Sequence, residues 1–285
     1  MQSVFILGCG YTGRRVARRL IGRGVAVTAT TRDPSRLADL AALGAKVLRL
    51  DLSEDPSAAS VAEEGRGAAV LLSIPTLRLD GKLAEPTPRI VATLGDRPSR
   101  LVYLSTSGVY GSAKQVDETT TPAPTTERQR LRWAAEEAVQ AAACPSLILR
   151  PAAIYGPGRG VHWRLALREF RLLGDGSNYV SRIHVDDLTA IAEAALLSQG
   201  TGAYPVADDG ACTSREIVEY CCALLGIPVP PSASAAELSE SRRSDRRVDG
   251  GAIRRLLGVE LRYPSYREGV AACLEAESRD KLPLP

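Results

Sequence analysis

Lysine, histidine, methionine, phenylalanine and tryptophan are scarce in this chain of 285 residues. It contains two histidines, one methionine, two phenylalanines and two tryptophans, and only four of its 36 basic residues are lysines, at positions 46, 82, 114 and 281. Arginine stays protonated in proteins and is a poor proton shuttle, so any chemistry that needs a lysine has four candidates. The six cysteines form no C-x-x-C pair, and neither a structural zinc site nor a disulfide framework is expected.

Long apolar runs and a strong charge imbalance are absent as well. No apolar run reaches the ~18 residues needed to span a bilayer, and the opening segment MQSVFILGCG lacks the charged and apolar regions of a signal peptide. The net charge of +3 is too small for a dedicated nucleic-acid binder, and we interpret the arginine-rich run at 242–247 as solvated surface. From these absences we expect no nucleic-acid partner and no membrane partner. They also favour a reducing cytoplasm as the compartment.

The first 150 residues alternate short apolar runs with amphipathic segments. The pattern predicts strands at 4–7, 25–30, 46–50, 69–73, 101–105 and 146–149, with a helix at 13–21 and a helix cap at Asp33 followed by Pro34. Parallel strands need crossover connections, which the intervening helices supply. The sequence therefore predicts an α/β fold, a Rossmann-type doubly wound parallel sheet.

The rhythm loosens after Pro151, where glycines and prolines cluster. Helices are predicted again at 186–197, 214–225 and 266–277, and the polar stretch 232–249 is predicted to be a surface excursion. We therefore predict a Rossmann domain over 1–155, to which 182–200 returns, and a small C-terminal lobe over 156–285.

A G-x-G-x-x-G run, Gly8 to Gly13, follows the first strand and opens the first helix. In that context the first glycine makes a tight turn, Gly10 lets the backbone approach a pyrophosphate, and the third glycine allows close helix–strand packing. The helix N-terminus then holds the phosphate charge. The loop, including Tyr11 and Thr12, is predicted to bind a dinucleotide; a glycine-rich turn without a ligand is the alternative.

The end of the second strand bears on which dinucleotide binds. NAD sites usually carry an acidic residue there, but this chain has Thr30, Thr31 and Arg32. Arg32 is suited to a 2′-phosphate, which favours NADP over NAD, although a solvated surface arginine would look the same. Asp51 and Leu52 follow the third strand, where an adenine would lie, and Asp51 could equally cap a turn.

Later motifs resemble one known group of enzymes. The segments LVYLSTSGVYG at 101–111, LRPAAIYGPGRG at 149–160 and SRIHVDDL at 181–188 resemble the extended short-chain dehydrogenase/reductase superfamily, as do 202–209 and 254–270. That superfamily includes the NAD-dependent epimerases and dehydratases, and the resemblance covers nearly the whole chain. It implies an NAD(P) cofactor and a small-molecule substrate bound by the C-terminal lobe. Pairing into a homodimer is also common there.

The resemblance implies roles for individual residues near the ends of the strands. Thr106 matches the hydroxyl that hydrogen-bonds the reacting oxygen, and Ser105 precedes it at the cofactor. Ser107 falls where sugar dehydratases carry part of an acidic pair, so dehydration by that route is not expected. Arg150 and Pro151 resemble the segment that borders the nicotinamide. The substrate side is assigned to Ser107, Arg159, His162 and Arg182, against the alternative that most of them are surface charges.

The superfamily's proton donor, a tyrosine in Y-x-x-x-K on the helix after the fifth strand, has no counterpart here. That helix, from Glu127, contains no tyrosine and no lysine. Aligning Glu136 with the glutamate that commonly follows the motif puts Arg128 at the tyrosine position and Arg132 at the lysine position. This departure resembles the atypical, YeeZ-like branch of the superfamily.

One literal Y-x-x-x-K match lies elsewhere, from Tyr110 to Lys114. The residues after it are rich in proline and threonine and predict a loop, so the two side chains would not share a helical face. Tyr110 is expected to pack near the cofactor instead. The remaining lysines lie in the third strand, in a linker before Pro86 and in the C-terminal tail, so none is expected at the catalytic helix.

Two functions follow from these predictions. One is an NADP-dependent oxidoreductase or epimerase-like enzyme, in which Thr106 polarises a carbonyl and Arg128 or Arg132 stabilises an oxyanion or an anionic substrate. The other is a non-catalytic NADP-binding redox sensor or scaffold, suggested by the missing tyrosine and lysine.

Overall fold

The computed structural model describes residues 3–51, 58–237 and 244–279. Predictions that concern Leu52, Arg242 and Lys281 therefore lie outside the described residues. The first part of the chain follows the predicted alternation of strands and helices, with elements β1 (Ser3–Leu7), α1 (Tyr11–Gly22), β2 (Ala26–Thr31), α2 (Ala38–Ala42), β3 (Lys46–Arg49), α3 (Ala58–Glu64) and β4 (Ala69–Leu72).

A hairpin interrupts the alternation after β4. The next elements are β5 (Leu77–Leu79), β6 (Lys82–Ala84), α4 (Thr87–Leu94), β7 (Arg100–Leu104), β8 (Gln115–Val116), α5 (Glu127–Gln140) and β9 (Ser146–Pro151). The predicted linker at Lys82 is wrong, because β5 and β6 pair antiparallel through Asp80 and Gly81, which have φ of +49° and +79°. An Asp-Gly pair with positive φ at both positions is a typical two-residue hairpin turn.

The rest of the chain has short strands and several helices. They are β10 (Ala153–Tyr155), α6 (Val161–Ala166), β11 (Leu172–Leu173), β12 (Tyr179–Val180), β13 (Arg182–His184), α7 (Val185–Leu197), β14 (Gly202–Val206), β15 (Cys212–Thr213), α8 (Ser214–Leu225), β16 (Ser232–Ala233), β17 (Arg247–Val248), α9 (Gly251–Leu257) and α10 (Tyr266–Arg279). Single 3₁₀ turns lie at Pro34–Leu37, Ser107–Tyr110 and Ala235–Glu237.

Seven strands form one sheet in the order β14-β9-β7-β4-β1-β2-β3, and every neighbouring pair is parallel. This confirms the predicted doubly wound sheet. Strand β14 forms one edge of this sheet. It lies beyond the segment 182–200 that we predicted to return to the Rossmann domain. Alternate residues of β1 face opposite sides, so Val4 and Ile6 pack with α1 and α7, and Phe5 and Leu7 pack with α4 and α5.

A separate apolar cluster holds the C-terminal lobe together. It includes side chains of α6, α8 and α10, and four of the six cysteines contribute to it as buried thiols: Cys212, Cys221, Cys222 and Cys273. All six cysteines are free. Among the described residues, no helix is long and apolar enough to cross a membrane.

Candidate functional site

The loop between β1 and α1 carries three glycines in different environments. Gly8 has φ of +88°, and a Cβ there would lie 2.9 Å from the backbone of Ser73. A Cβ on Gly13 would lie 2.9 Å from the carbonyl oxygen of Gly8, whereas one on Gly10 would meet no atom within 4 Å. Packing therefore requires the first and third glycines, and the second keeps open the space that phosphates would enter.

Helix α1 presents its amino end to the same opening. Its cap residue is Gly10, which provides no side-chain hydrogen bond to the first turn, and the first turn contains no acidic residue. Thr12 is buried beneath it. The first amide groups and the helix dipole are therefore available to an anion.

A cavity of about 990 Å³ opens above this loop. It extends over the carboxyl ends of β1 to β4 and reaches the hairpin β5–β6, with apolar walls that include Leu37, Leu50 and Leu77. This is the carboxyl edge of a parallel sheet, where doubly wound folds bind their ligands. The cavity brings together five residues predicted to bind a cofactor: Gly8, Gly10, Tyr11, Arg32 and Asp51.

Several arginines line the cavity, but they differ in what they contact. Arg14 and Arg18 are held by Asp39, at 2.7 and 2.6 Å. Arg32 is exposed, and within the described residues it has no hydrogen-bond or ion-pair partner. The next residue, Asp33, caps the 3₁₀ turn by accepting hydrogen bonds from Ser35, which lower its pKa, and this confirms the predicted cap.

A buried polar network lies at the carboxyl ends of β7 and β9. The Glu136 carboxylate accepts hydrogen bonds from the Ser105 hydroxyl at 2.5 Å and from the Arg150 guanidinium at 2.7 Å. Arg150 also donates to the Tyr110 hydroxyl at 3.0 Å. Burial acts to lower the pKa of Arg150, but the hydrogen bonds and charge of Glu136 outweigh it and raise that pKa. Ser105 and Arg150, predicted at the cofactor, thus direct their side chains into this network.

Arg132 lies in a second buried ion pair. Its guanidinium is 3.1 Å from the Glu85 carboxylate and donates to the carbonyl oxygens of Ile74 and Leu104. Glu85 also accepts from the hydroxyls of Thr76 and Thr87. Arg132 therefore ties the ends of β4 and β7 to the residue that follows the hairpin, and Glu85 is a partner that sequence reasoning missed.

Thr106 and Ser107 begin the turn that follows β7. The Thr106 hydroxyl oxygen accepts a hydrogen bond from the amide of Gly108 at 3.1 Å, and both Thr106 and Ser107 are half-buried. Arg128 is exposed in the first turn of α5. The other literal motif does not form a pair, because the 3₁₀ turn ends at Tyr110 and Lys114 instead binds Asp245 at 3.1 Å.

The predicted substrate residues do not converge on one point. Arg159 lies 5.3 Å from the ring centre of Tyr11, whose hydroxyl donates to the carbonyl of Pro157. His162 is fully buried, with its Nε2 3.0 Å from the Glu277 carboxylate. Arg182 is buried in the lobe and donates to the carbonyl of Val180 and to the sulfur of Cys212. Only Arg159 of these three lies beside the glycine loop.

Two further titratable groups are buried where the lobe meets the sheet. His184 caps α7 by accepting a hydrogen bond from the amide of Asp186, and burial lowers its pKa to about 4. Burial raises the pKa of Asp208 to about 7. Neither belongs to a metal site, since the described part of the chain has no group of three or more His, Cys, Asp or Glu suited to a metal ion.

Comparison with known proteins assigns the family. The model of the NAD-dependent epimerase/dehydratase family matches residues 4–206. The chain belongs to this family. It is 27% identical to protein YeeZ of Escherichia coli K12 over 278 residues, which cover 93% of this chain and 97% of YeeZ.

Solved structures share the fold of this chain. A functionally unknown conserved protein from Silicibacter pomeroyi superposes with a TM-score of 0.79 at 32% identity, covering 97% of this chain and 99% of that one. MoeE5 in complex with UDP-glucose and NAD superposes with a TM-score of 0.79 at 21% identity, covering 98% and 99%. The latter likeness shows the shared Rossmann-type fold.

As a member of the epimerase/dehydratase family, the chain is expected to need Gly10 for its cofactor more than for its fold. A Cβ at Gly10 meets no protein atom, so Gly10→Ala should change stability by less than about 1 kcal/mol yet weaken dinucleotide binding about tenfold or more. Thermal unfolding and fluorescence titration with NADPH measure the two effects. Gly22→Ala, also without a neighbour within 4 Å, is the control, and unchanged binding by Gly10→Ala would contradict this use of the loop.

Proposed function

We propose that the chain binds NADP(H) and acts as an NADP-dependent oxidoreductase or epimerase-like enzyme on a small polar or anionic substrate. The observation that carries the choice of NADP is Arg32, which directly follows β2, faces the cavity and has no partner among the described residues. NAD sites usually carry an acidic residue near this position, but here Asp33 is engaged as a cap. A guanidinium presents planar paired donors that match a phosphate.

Each part of the proposed site has its own role in binding or catalysis. The amides at the start of α1 hold the pyrophosphate, and Arg32, with Arg36 beside it in the cavity, holds the 2′-phosphate. NADP(H), when bound, supplies or accepts the hydride. The Thr106 oxygen accepts from the Gly108 amide, so its proton is left to donate to a substrate carbonyl oxygen.

An anionic group on the substrate suits Arg128 better than Arg132. Arg128 is exposed at the start of α5, whereas Arg132 is buried against Glu85. Arg159 is also exposed, and its guanidinium lies beside Tyr11 as a second cation near the glycine loop. We therefore propose Arg128 and Arg159 as the groups that hold a carboxylate or phosphate of the substrate.

A non-catalytic NADP-binding redox sensor or scaffold is the second candidate. Helix α5 carries no tyrosine and no lysine, and the nearby Tyr110 and Arg132 are both buried in polar networks. Burial also raises the pKa of Tyr110, which makes it a weaker proton donor at neutral pH. Under this candidate the cavity binds the dinucleotide, and the bound state is recognised by a partner at the protein surface instead of leading to turnover.

Turnover measurements with a Thr106 variant separate the two candidates. NADPH oxidation is followed with small aldehydes and ketones, including anionic ones. NADP+ reduction is followed with UDP-sugars, whose hydroxyl-bearing carbons can give up a hydride, since MoeE5 is solved with UDP-glucose. We expect Thr106→Val to lower kcat about 100-fold because a carbonyl-polarising donor is lost. NADPH affinity should stay within about twofold of the wild type. Tight NADPH binding without turnover on the whole panel would favour the sensor.

The remaining expectations concern compartment and assembly. Six free thiols, four of them in the core of the lobe, suit a reducing compartment, and we propose the cytoplasm. The homodimer implied by the family resemblance stays a prediction.

A further inference from the structure

The segment from Ser244 to Asp249, here called the bridging segment, joins the lobe to the loop after β7. On the lobe side, the amide of Arg246 donates to the carbonyl of Tyr179 at 2.8 Å, and Asp245 accepts from the amide of Tyr179 at 3.0 Å. Arg247 stacks over the Tyr179 ring at 3.4 Å. The two hydrogen bonds with Tyr179 fix the bridging segment to the lobe, and the exposed Arg247 side chain adds only a weak surface contact.

The other side of the bridging segment pairs with β8. The amide of Arg247 donates to the carbonyl of Lys114 at 2.8 Å, and the amide of Asp249 donates to the carbonyl of Val116 at 2.7 Å. The strands β17 and β8 therefore run parallel as a two-stranded sheet. We predicted 232–249 to be a surface excursion, and this is wrong for Arg246 and Val248, which are buried.

Arg246 extends this pairing into the loop that follows β7. Its guanidinium donates to three main-chain carbonyl oxygens, those of Ala113 at 2.9 Å, Ser107 at 2.5 Å and Gly111. The side chain is only 8% exposed. Burial lowers its pKa, and the three bonds go to neutral carbonyls rather than to a carboxylate. A buried cation costs free energy unless its donors are satisfied. The loop at 107–113 must therefore stay curved around the guanidinium so that its carbonyls accept these hydrogen bonds.

The same loop is constrained from within the sheet domain. Gly111 has φ of +59°, and a Cβ there would lie 1.9 Å from the carbonyl oxygen of Ala123. The Tyr110 hydroxyl accepts from Arg150 at 3.0 Å. Residues 107–113 are thus held on one side by the β9 network and on the other by Arg246.

The loop begins with Thr106 and Ser107, at the carboxyl end of β7. The glycine loop and Arg32 occupy the β1–β2 side of the cavity, so a dinucleotide that crosses the sheet edge brings its nicotinamide half toward β4, β7 and β9. We propose that Arg246 is a positioning residue, which uses the lobe to set the loop carrying Thr106 and Ser107 against the nicotinamide and the substrate. This inference rests on the proposed function.

The test compares Arg246→Met with Arg247→Met, a neighbouring and exposed arginine of the same segment. The full chain is titrated with NADPH, which carries both the adenosine and the nicotinamide halves, and with 2′,5′-ADP, which lacks the nicotinamide half. Arg246→Met should weaken NADPH binding about tenfold and leave 2′,5′-ADP binding within about twofold. Amide hydrogen exchange should rise in residues 107–113 and not across the sheet. Arg247→Met should change neither.

Each alternative outcome has a definite meaning. Equal loss for both nucleotides, exchange that rises throughout the chain, or the same effects from Arg247→Met would overturn the positioning role. If Arg246→Met does not fold, Arg246→Lys serves, because it keeps the charge but lacks the planar fork that reaches three carbonyls. If the wild type binds neither nucleotide, the proposed function fails, while exchange confined to residues 107–113 still tests the hold of Arg246 on the loop.

Discussion

Replacing Glu136 with alanine should lower the free energy of unfolding by about 3–5 kcal/mol, the range expected when one partner of a buried ion pair is removed. Glu136 is fully buried and its partner Arg150 is 4% exposed. The variant would leave the Arg150 guanidinium without its counter-charge and the Ser105 hydroxyl without its acceptor. Urea denaturation followed by circular dichroism measures the loss.

Two controls make this result specific. Glu137→Ala changes the adjacent but exposed residue of α5 and should shift stability by less than about 0.5 kcal/mol. The double variant Glu136→Met with Arg150→Met removes both charges and should lose less than Glu136→Ala alone, because buried pairs can often be replaced by apolar side chains. Equal losses from Glu136→Ala and Glu137→Ala would contradict the assignment of a buried pair.

The position of this pair gives it a consequence for the site. Ser105 immediately precedes Thr106, and Tyr110 lies in the turn that follows. Glu136 and Arg150 therefore anchor both flanks of the proposed reacting hydroxyl. If Glu136→Ala still folds, we expect it to hold Thr106 less firmly than the wild type does.

The sheet could be predicted because its signals are local. Buried parallel strands read as short apolar runs, and the glycine loop, the helix after it and the Asp33 cap each depend on neighbours within a few residues. Each of the six predicted strands matches an observed strand to within one or two residues at either end. The hairpin was missed although its Asp80-Gly81 pair is a local signal, because the flanking runs are only three residues each.

The partners of buried charges could not be predicted in this way. Arg132 finds Glu85 47 residues away, and Arg246 reaches Ser107 139 residues away. Nothing in the local pattern distinguishes either arginine from a solvated one. Only the sheet order and the return of the chain through the lobe bring these groups together.

The scarcity of lysine extends to helix α5, where Arg132 is the residue predicted at the position of the family's lysine. The donors of Arg132 go to Glu85 and to the carbonyls of Ile74 and Leu104. Because arginine does not release its proton, we expect this side chain to hold strand ends rather than to relay protons. Any catalysis would then rely on polarisation by Thr106.

Replacing Arg32 with alanine should reduce NADP(H) affinity about 10- to 100-fold and leave NAD(H) affinity within about twofold, since a charge-assisted phosphate contact contributes about 1.5–3 kcal/mol. Arg32 has no partner among the described residues, so its loss should not affect stability. Fluorescence titration with NADPH and NADH, at one fixed ionic strength because phosphate contacts are screened by salt, gives the two affinities.

The matched control is Arg66→Ala, an exposed arginine that pairs with Glu63 and does not line the cavity. It should leave both affinities unchanged. Arg36→Ala should weaken NADP(H) binding less than Arg32→Ala, because Arg36 lies within the capped turn rather than at the strand end. An equal loss of NADPH and NADH affinity on Arg32→Ala would assign this residue to the pyrophosphate. No loss of either would leave NAD, the cofactor for which the family is named, as the better choice, and the specificity for NADP would then be wrong.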